Sequence, residues 1–206
     1  MSTRSAICYI DGFNLYYRLL RRTSYKWLNL SSLFNAILID YKLLHIHYFT
    51  ADLHSGPPNR DRPIRQGLYL RAIKTLPNLT ITKGYYLRTK VWAQPVVGTE
   101  MVQVWKSEEK GSDVNIGTQM LVDAHLAKSH VQVVVSNDTD LVAPIKAVRE
   151  IFGFKVLLVS PVSNPSRKLV DAASEVIVLH GKDLSDHLFP EELTDTKGSF
   201  KKPASW

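Results

Sequence analysis

Acidic side chains stand where short apolar runs stop. Tyr9-Ile10 runs into Asp11, and Val134-Val135-Ser136 runs into Asn137-Asp138-Thr139-Asp140. Asp113 follows Glu108-Glu109-Lys110-Gly111-Ser112 and opens another stretch with helical spacing. Each aspartate alone has a plain explanation, because helix N-termini favour a carboxylate that accepts a backbone N–H. Asp140 or Thr139 would cap the helix after Val131–Ser136, and Asp113 its own helix. The set asks for more. Four carboxylates drawn to one place repel one another, and burying them together is costly without a cation. Hard oxygen ligands with room for water suit Mg2+ and Mn2+. Such an ion polarises a phosphoryl group, lowers the pKa of an attacking water and neutralises the leaving oxygen, which is the chemistry of phosphodiester cleavage.

Bringing these acids together requires strands and helices in alternation. Ser5–Ile10 reads as a buried strand ended by Asp11-Gly12, and Phe13–Arg22 as a helix with Leu15 and Leu19 at helical spacing. Leu30 opens a second helix, with Ser31 or Ser32 as N-cap. Leu43–Thr50 is a second strand. Residues 51–62, containing Gly56-Pro57-Pro58, form a polar loop of the length that is often functional. Pro63 suits the first turn of a helix reaching about Leu76.

Residues 79–107 read as a strand, an irregular hairpin-like insertion and a short strand around Met101–Trp105. A helix over Ser112–Lys128, a strand at Val131–Ser136 and a helix at Asp140–Phe152 stopped by Gly153 follow. Phe154–Ser160, Pro165–Ala173 and Glu175–Leu179 give strand, helix and strand. The polar stretch 194–206 reads as a disordered tail, leaving 1–193 as one domain. Unbroken β-branched strands alternating with helices point to an α/β protein whose central, mainly parallel sheet is covered on both faces. Ligands of such sheets bind beyond the carboxyl ends of the strands, where strand order reverses.

Three motifs then carry a family resemblance. Asp11-Gly-Phe-Asn14-Leu, Lys110-Gly-Ser-Asp113-Val-Asn-Ile-Gly and Ser136-Asn-Asp138-Thr-Asp140-Leu, in that order, resemble those of NYN-domain proteins among the PIN-like nucleases, over roughly residues 5–180. The resemblance implies a PIN-like (Rossmann-like) three-layer α/β/α fold and a divalent-metal-dependent endoribonuclease. Metal-activated water would cut single-stranded or unpaired RNA in line, leaving a 5′-phosphate and a 3′-hydroxyl. It implies Asp11, Asp113 and Asp138 as ligands of Mg2+ or Mn2+, with Asp113 acting directly or through water.

Asp140 is the fourth catalytic acid, orienting a water, or only a helix cap; both readings stand. Asn14 is a polar neighbour of the site. Ser136 and Thr139 either donate to a phosphate at the helix N-terminus or satisfy local backbone groups. One departure is visible. The last motif commonly reads Ser-Gly-Asp-Ser-Asp-Phe, and Asn137 and Leu141 replace the glycine and the aromatic. Asparagine tolerates left-handed geometry, and every acid is kept.

Charge is uneven along the chain. Residues 1–93 hold 14 Lys and Arg against 4 Asp and Glu, whereas residues 94–206 hold 12 against 15. A polyanion-binding surface beside an acidic site would give this balance, and so would an uneven surface without function. Arg18, Arg22, Arg65, Lys83, Arg88 and Lys90, interleaved with Tyr17 and Tyr86, would neutralise phosphates and stack on unpaired bases. The stretch Lys83–Trp92 is the preferred binding element. RNA, single-stranded for preference, is the expected partner, with DNA as an open alternative and oligomeric state unassigned.

Other features narrow the classes. A lone Cys8 excludes a disulfide framework and a multi-cysteine zinc site. No apolar run nears the ~18 residues of a membrane helix, and Asp11 ends the first run too early for a signal peptide, so the expected location is cytoplasmic. His45 and His47, two apart on a strand, read as packing or surface residues rather than metal ligands. Asp123, nearly three turns beyond Asp113, is expected at the surface. Two alternatives stay open. One is a non-catalytic RNA-binding module whose acids are caps. The other is a small-molecule phosphatase, weakened because Phe13 stands where a phosphoaspartate enzyme would carry a second aspartate.

Overall fold

The run Ala6–Ile10 is buried on both faces of strand β1 (Arg4–Asp11). Ala6, Cys8 and Ile10 join a core with Trp27, Leu33 and Phe34, whereas Ile7 and Tyr9 join a second core with Ile116, Met120 and Ile145. Successive side chains of a strand alternate in direction, so an unbroken apolar run needs cover on both sides. The computed structural model describes residues 4–54 and 60–206. Gly56-Pro57-Pro58 of the expected polar loop lies outside the described residues.

The remaining strands are β2 (Tyr41–Thr50), β3 (Leu79–Lys83), β4 (Tyr85–Ala93), β5 (Val102–Lys110), β6 (Val131–Val135), β7 (Lys155–Ser160), β8 (Glu175–Val178), β9 (Glu192–Asp195) and β10 (Gly198–Lys201). Six of them form one parallel sheet in the order β3-β2-β1-β6-β7-β8. Helices α1 (Gly12–Leu15), α2 (Leu30–Ile37) and α3 (Arg62–Ile73) feed the first core. Helices α4 (Ser112–His125), α5 (Val142–Glu150) and α6 (Arg167–Ala172) feed the second. The result is a three-layer α/β/α sandwich of PIN-like character. Strand order reverses between β1 and β6, so the crevice at their carboxyl ends is where such a sheet binds ligands.

Four local expectations are corrected. The stretch after Asp11 is not one α-helix: α1 is a single turn, and Tyr16–Leu20 continues as π-helix. The N-cap of α2 is Asn29, whose side chain accepts from the Ser32 N–H. The insertion is a regular ribbon, with β4 and β5 paired antiparallel from Tyr85↔Lys110 to Ala93↔Val102. Its alternation is hidden in the sequence because neither face enters the core.

The tail is ordered as well. β9 and β10 pair as a hairpin whose Phe200 is buried beside Trp27, and Trp206 meets Trp27 and Tyr69 edge-on. Arg71 of α3 clamps this hairpin by donating from Nε and Nη2 to the two carboxylate oxygens of Asp195, at 2.8 and 2.6 Å, and lies over the Phe200 ring. One buried aromatic among polar residues is a weak signal in sequence, yet it is enough when Trp27 supplies the socket. Among the described residues no helix is long and apolar enough to cross a membrane.

Candidate active site

The crevice between β1 and β6 gathers the three motifs. Asp11 is the last residue of β1 and is 6% exposed. Its Oδ1 accepts from the Asn14 N–H at 2.9 Å, so it caps α1, and its Oδ2 accepts from the Ser136 hydroxyl at 3.0 Å. Burial pushes the Asp11 carboxyl above its usual range against these two hydrogen bonds, and Asp138 adds to the rise. Asp138 sits just past β6, where its Oδ1 accepts from the Asp140 N–H at 3.1 Å. The capping reading thus holds for Asp11 and Asp138 in geometry. It does not hold for Asp113 or Asp140, which cap nothing: the N-cap of α4 (Ser112–His125) is Gly111, and that of the 3-10 turn Thr139–Leu141 is Asp138.

Asp113 enters from a different element. Gly111 has φ +96°, a left-handed turn that favours glycine, and this lets the chain reverse from β5 into α4. Glu109 stays at the same corner, accepting from the Ser112 hydroxyl at 2.8 Å. Partial burial pushes the Asp113 carboxyl up to about 6, with Asp11, Asp138, Glu109 and Asp140 adding negative charge in that order. Asp113 and Asp140 also line one open cleft of about 450 Å³ between α4 and α5, where Gly117 lets Pro144 approach closely.

Ser136 and Thr139 part company. The buried Ser136 hydroxyl donates to Asp11 and accepts from the Asp138 N–H, so it positions the acids and has no place for a phosphate. Thr139 is exposed at the turn. Asn14 is a second positioning group, its Oδ1 accepting from the Asn137 N–H at 3.1 Å. Asn137, at the family's glycine position, has no positive φ; instead its side chain accepts from the Ser166 N–H at 2.8 Å and ties the motif to α6.

The donor set fits a hard cation in chemistry: carboxylates at one crevice, one of them raised by burial and then by its neighbours' charge. It is not a finished cage. Among the described residues no three His, Cys, Asp or Glu side chains converge closely enough to hold a metal ion. A cation bound here would therefore touch one or two carboxylates and keep waters, which is how Mg2+ is commonly held.

The expected substrate residues are scattered. Arg18 and Arg22 are exposed on and after the π-helical turn, and Arg65 is half-buried on α3. Tyr17 accepts from Arg62 and lies under Arg21. Lys83 is engaged by Asp52 at 2.6 Å, so its charge is largely answered. Tyr86 is half-buried against Phe13 and His54, and burial first, then Tyr17 and Glu109, push its hydroxyl up to about 12. Arg88 and Lys90 stand out on the ribbon against Trp105, a contact that no motif in the sequence announces. Cys8 is buried, and burial raises its thiol, as expected of an inert core group.

Asp123 is the largest correction. It is 1% exposed, not a surface residue. Its carboxylate accepts from the Tyr9 hydroxyl at 2.9 Å, the Gln119 amide at 2.9 Å and the Lys128 ammonium at 2.8 Å, with His47 Nε2 at 3.2 Å. Thr80 Oγ1 lies 3.0 Å from both His47 Nδ1 and His45 Nε2, completing a chain across three strands and α4. Burial raises the Asp123 carboxyl, and the hydrogen bonds outweigh it, so the group lies below its usual range. Burial pushes His47 down to about 4, helped by His45 and opposed by Asp123.

Comparison with known proteins agrees with this layout. The NYN domain matches residues 5–180, and the chain belongs to that family, whose members are generally nucleases. It is 32% identical over 188 residues to the 6-hydroxy-3-succinoylpyridine 3-monooxygenase HspA of Pseudomonas putida. That match covers 77% of this chain and 60% of the relative, so the chain spans about three-fifths of the relative's length. A crystal structure of a protein of unknown function from Vibrio parahaemolyticus shares the fold. Its TM-score is 0.60 at 15% identity, covering 92% of this chain and 99% of that one.

Proposed function

We propose that the protein is a cytoplasmic, divalent-metal-dependent endoribonuclease that hydrolyses single-stranded or unpaired RNA. The observation that carries this is the meeting of acids from three motifs at one crevice: Ser136 links Asp11 to Asp138, and Asp113, raised to about 6 by burial and by its acidic neighbours, faces them. Uncompensated negative charge at a sheet's switch point costs stability unless a cation is received there, and that cation would in turn receive the phosphate. Of Asp11, Asp113 and Asp138, one or two would hold Mg2+ or Mn2+ directly and the rest through bound water. When bound, the ion supplies Lewis-acid polarisation of the phosphodiester and a water of lowered pKa.

The chain's own residues do the positioning. Ser136 and the Asn14 N–H fix both oxygens of Asp11, and the Asp140 N–H fixes one oxygen of Asp138. Both carboxylates therefore keep their orientation before substrate arrives. Asp140, exposed and half a turn on, faces the Asp113 cleft and would orient the attacking water. Arg88 and Lys90 supply cations for the phosphates leading away from the cut. Stacking and phosphate contacts do not read the 2′-hydroxyl, so RNA over DNA would be decided at the acids.

A second reading comes from the relative's printed activity on a pyridine. The favouring observation is an aromatic pocket beside Gly12, lined by Phe13, Tyr16, Tyr17, Tyr48 and Tyr69. Its volume is about 50 Å³, against roughly 150 Å³ for an apolar cavity that takes benzene. It would have to widen to admit a substituted pyridine, so nuclease action ranks first.

The test is cleavage of end-labelled single-stranded RNA with Mn2+, Mg2+ or EDTA. Asp138→Asn should lose ~10³-fold in rate while keeping the fold and RNA affinity. Intact RNA in every lane, with binding retained, would assign the chain to the RNA-binding alternative.

A further inference from the structure

The ribbon β4–β5 has two unlike faces. Pairing puts Tyr86, Arg88, Lys90 and Trp92 on the same face as Gln103, Trp105 and Glu109. The opposite face carries Leu87, Val91 and Val104, with Lys106 and Lys110 both paired to Glu108. On the first face Arg88 lies 4.3 Å and Lys90 5.1 Å from the Trp105 ring centre. Among the described residues neither cation forms an ion pair with a carboxylate. One face has answered its own charge, and the other has not.

The unanswered face also exposes its aromatics. Trp92 is 65% and Trp105 54% exposed. Trp92 has no aromatic or cationic partner among the described residues, so its ring is free to stack. At the ribbon's inner end Tyr86 meets the Phe13 ring edge-on at 6.1 Å, and Phe13 lies two residues from Asp11. The base is tied to the central sheet, because the Gly84 N–H donates to the Thr50 carbonyl at 2.8 Å. Rings and cations thus alternate along one face, and at its inner end Glu109, opposite Tyr86, accepts from the Ser112 hydroxyl beside Asp113.

We propose that this face, from Trp92 through Trp105 to Tyr86 and Phe13, is a track for single-stranded nucleic acid that delivers the strand to the acids. Bases stack on Trp92 and the inner aromatics, and phosphates meet Arg88 and Lys90, whose positions Trp105 fixes by cation–π contact. A strand of nine residues spans ~30 Å, enough for on the order of five nucleotides. Stacking is sequence-tolerant, so the track takes RNA and DNA alike. Only what happens at its inner end rests on the nuclease reading.

Binding is measured by anisotropy of a labelled 20-nucleotide oligouridine, in EDTA and in an Asp138→Asn background, over a range of salt. Trp92→Ala is expected to bind about five- to hundredfold more weakly with an unchanged salt slope. Arg88→Gln with Lys90→Gln is expected to lower the slope of log affinity against log salt by about 1.4, as two lost phosphate contacts on a single strand require. Lys106→Gln, on the opposite face, serves as the control and stays within about twofold. Oligodeoxythymidine gives the same ranking.

Wild-type affinity in Trp92→Ala, or equal weakening by Lys106→Gln, would overturn the track and assign the exposed rings to a protein contact. The two readings fail separately. If no divalent ion supports cleavage but Trp92-dependent binding persists, the nuclease falls and the track stands. If the protein cuts, and both track variants cut a long unpaired RNA as fast as wild type at subsaturating concentration, the track falls and the nuclease stands.

Discussion

Helix α4 carries an aspartate near each end, and the fold treats them in opposite ways. Asp123 is the more buried, yet four donors surround it and its carboxyl lies below the usual range. Asp113 is partly open to solvent, yet its carboxyl is pushed up to about 6 by burial and neighbouring acids. Burial alone would rank them the other way. What separates them is compensation: Tyr9, Gln119, Lys128 and His47 were brought to Asp123, and more carboxylates were brought to Asp113. A charge that is solvated by protein groups holds the fold together, whereas a charge opposed by its neighbours is stabilised only by something that arrives from outside.

The strongest way to break the comparison is to delete the compensated acid. Asp123→Ala strands Tyr9, Lys128 and His47 around an empty site, and should cost about 3–4 kcal/mol in chemical denaturation. A cost under about 1 kcal/mol would mean that the network is solvated and unimportant.

Next in size is the histidine of that network. His47 has a folded pKa near 4 and an ordinary value of 6.5 when unfolded. Between these values the unfolded chain binds the extra proton, so stability rises with pH from about 4 to 6.5 and is lost on acidification. His45, Asp123, Lys128 and Tyr9 all face this ring. His47→Gln keeps a donor for Asp123 and should remove about 1–2 kcal/mol of that pH dependence. An unaltered acid limb in His47→Gln would assign the slope to other groups.

The smallest effect has the opposite sign. In EDTA, Asp113→Asn removes a repelled charge and should stabilise by about 1 kcal/mol, after discounting for its solvent exposure. Mn2+ should raise the melting temperature of wild type and do so less in the variant. Destabilisation by Asp113→Asn without metal would show that Asp113 is a structural acid after all.

That acids gather at one edge of the sheet was legible in the sequence because apolar runs stop where they meet solvent-facing polar chemistry. Val134-Val135 followed by Ser136-Asn137-Asp138 says both that a strand ends and that acids gather at its end. The parallel sheet was legible for a similar reason, since Val131–Val135 has no polar face to turn outward. Asp123 was not legible. Its partners Tyr9 and His47 come from two other strands, and no local spacing announces a buried acid that is fully answered.

The hairpin-like insertion was legible but its regular pairing was not, because a strand bare on both faces shows no hydrophobic alternation; the hairpin Glu192–Lys201 was missed because Phe200 is its one deeply buried anchor. Nor does the sequence distinguish Asp11 and Asp138, which cap, from Asp113 and Asp140, which do not. That difference lies in which element each carboxylate leaves.

The most direct measurement sets the two ends of α4 against each other in one assay. Mn2+-dependent cleavage of unpaired RNA is followed for wild type, Asp113→Asn and Asp123→Asn, each corrected for its folded fraction. Asp113→Asn should lose ~10³-fold while remaining at least as stable as wild type, and Asp123→Asn should stay within about tenfold despite lower stability. Equal losses in the two variants, or no metal-dependent cleavage by wild type, would contradict the assignment of one acid to function and the other to the fold.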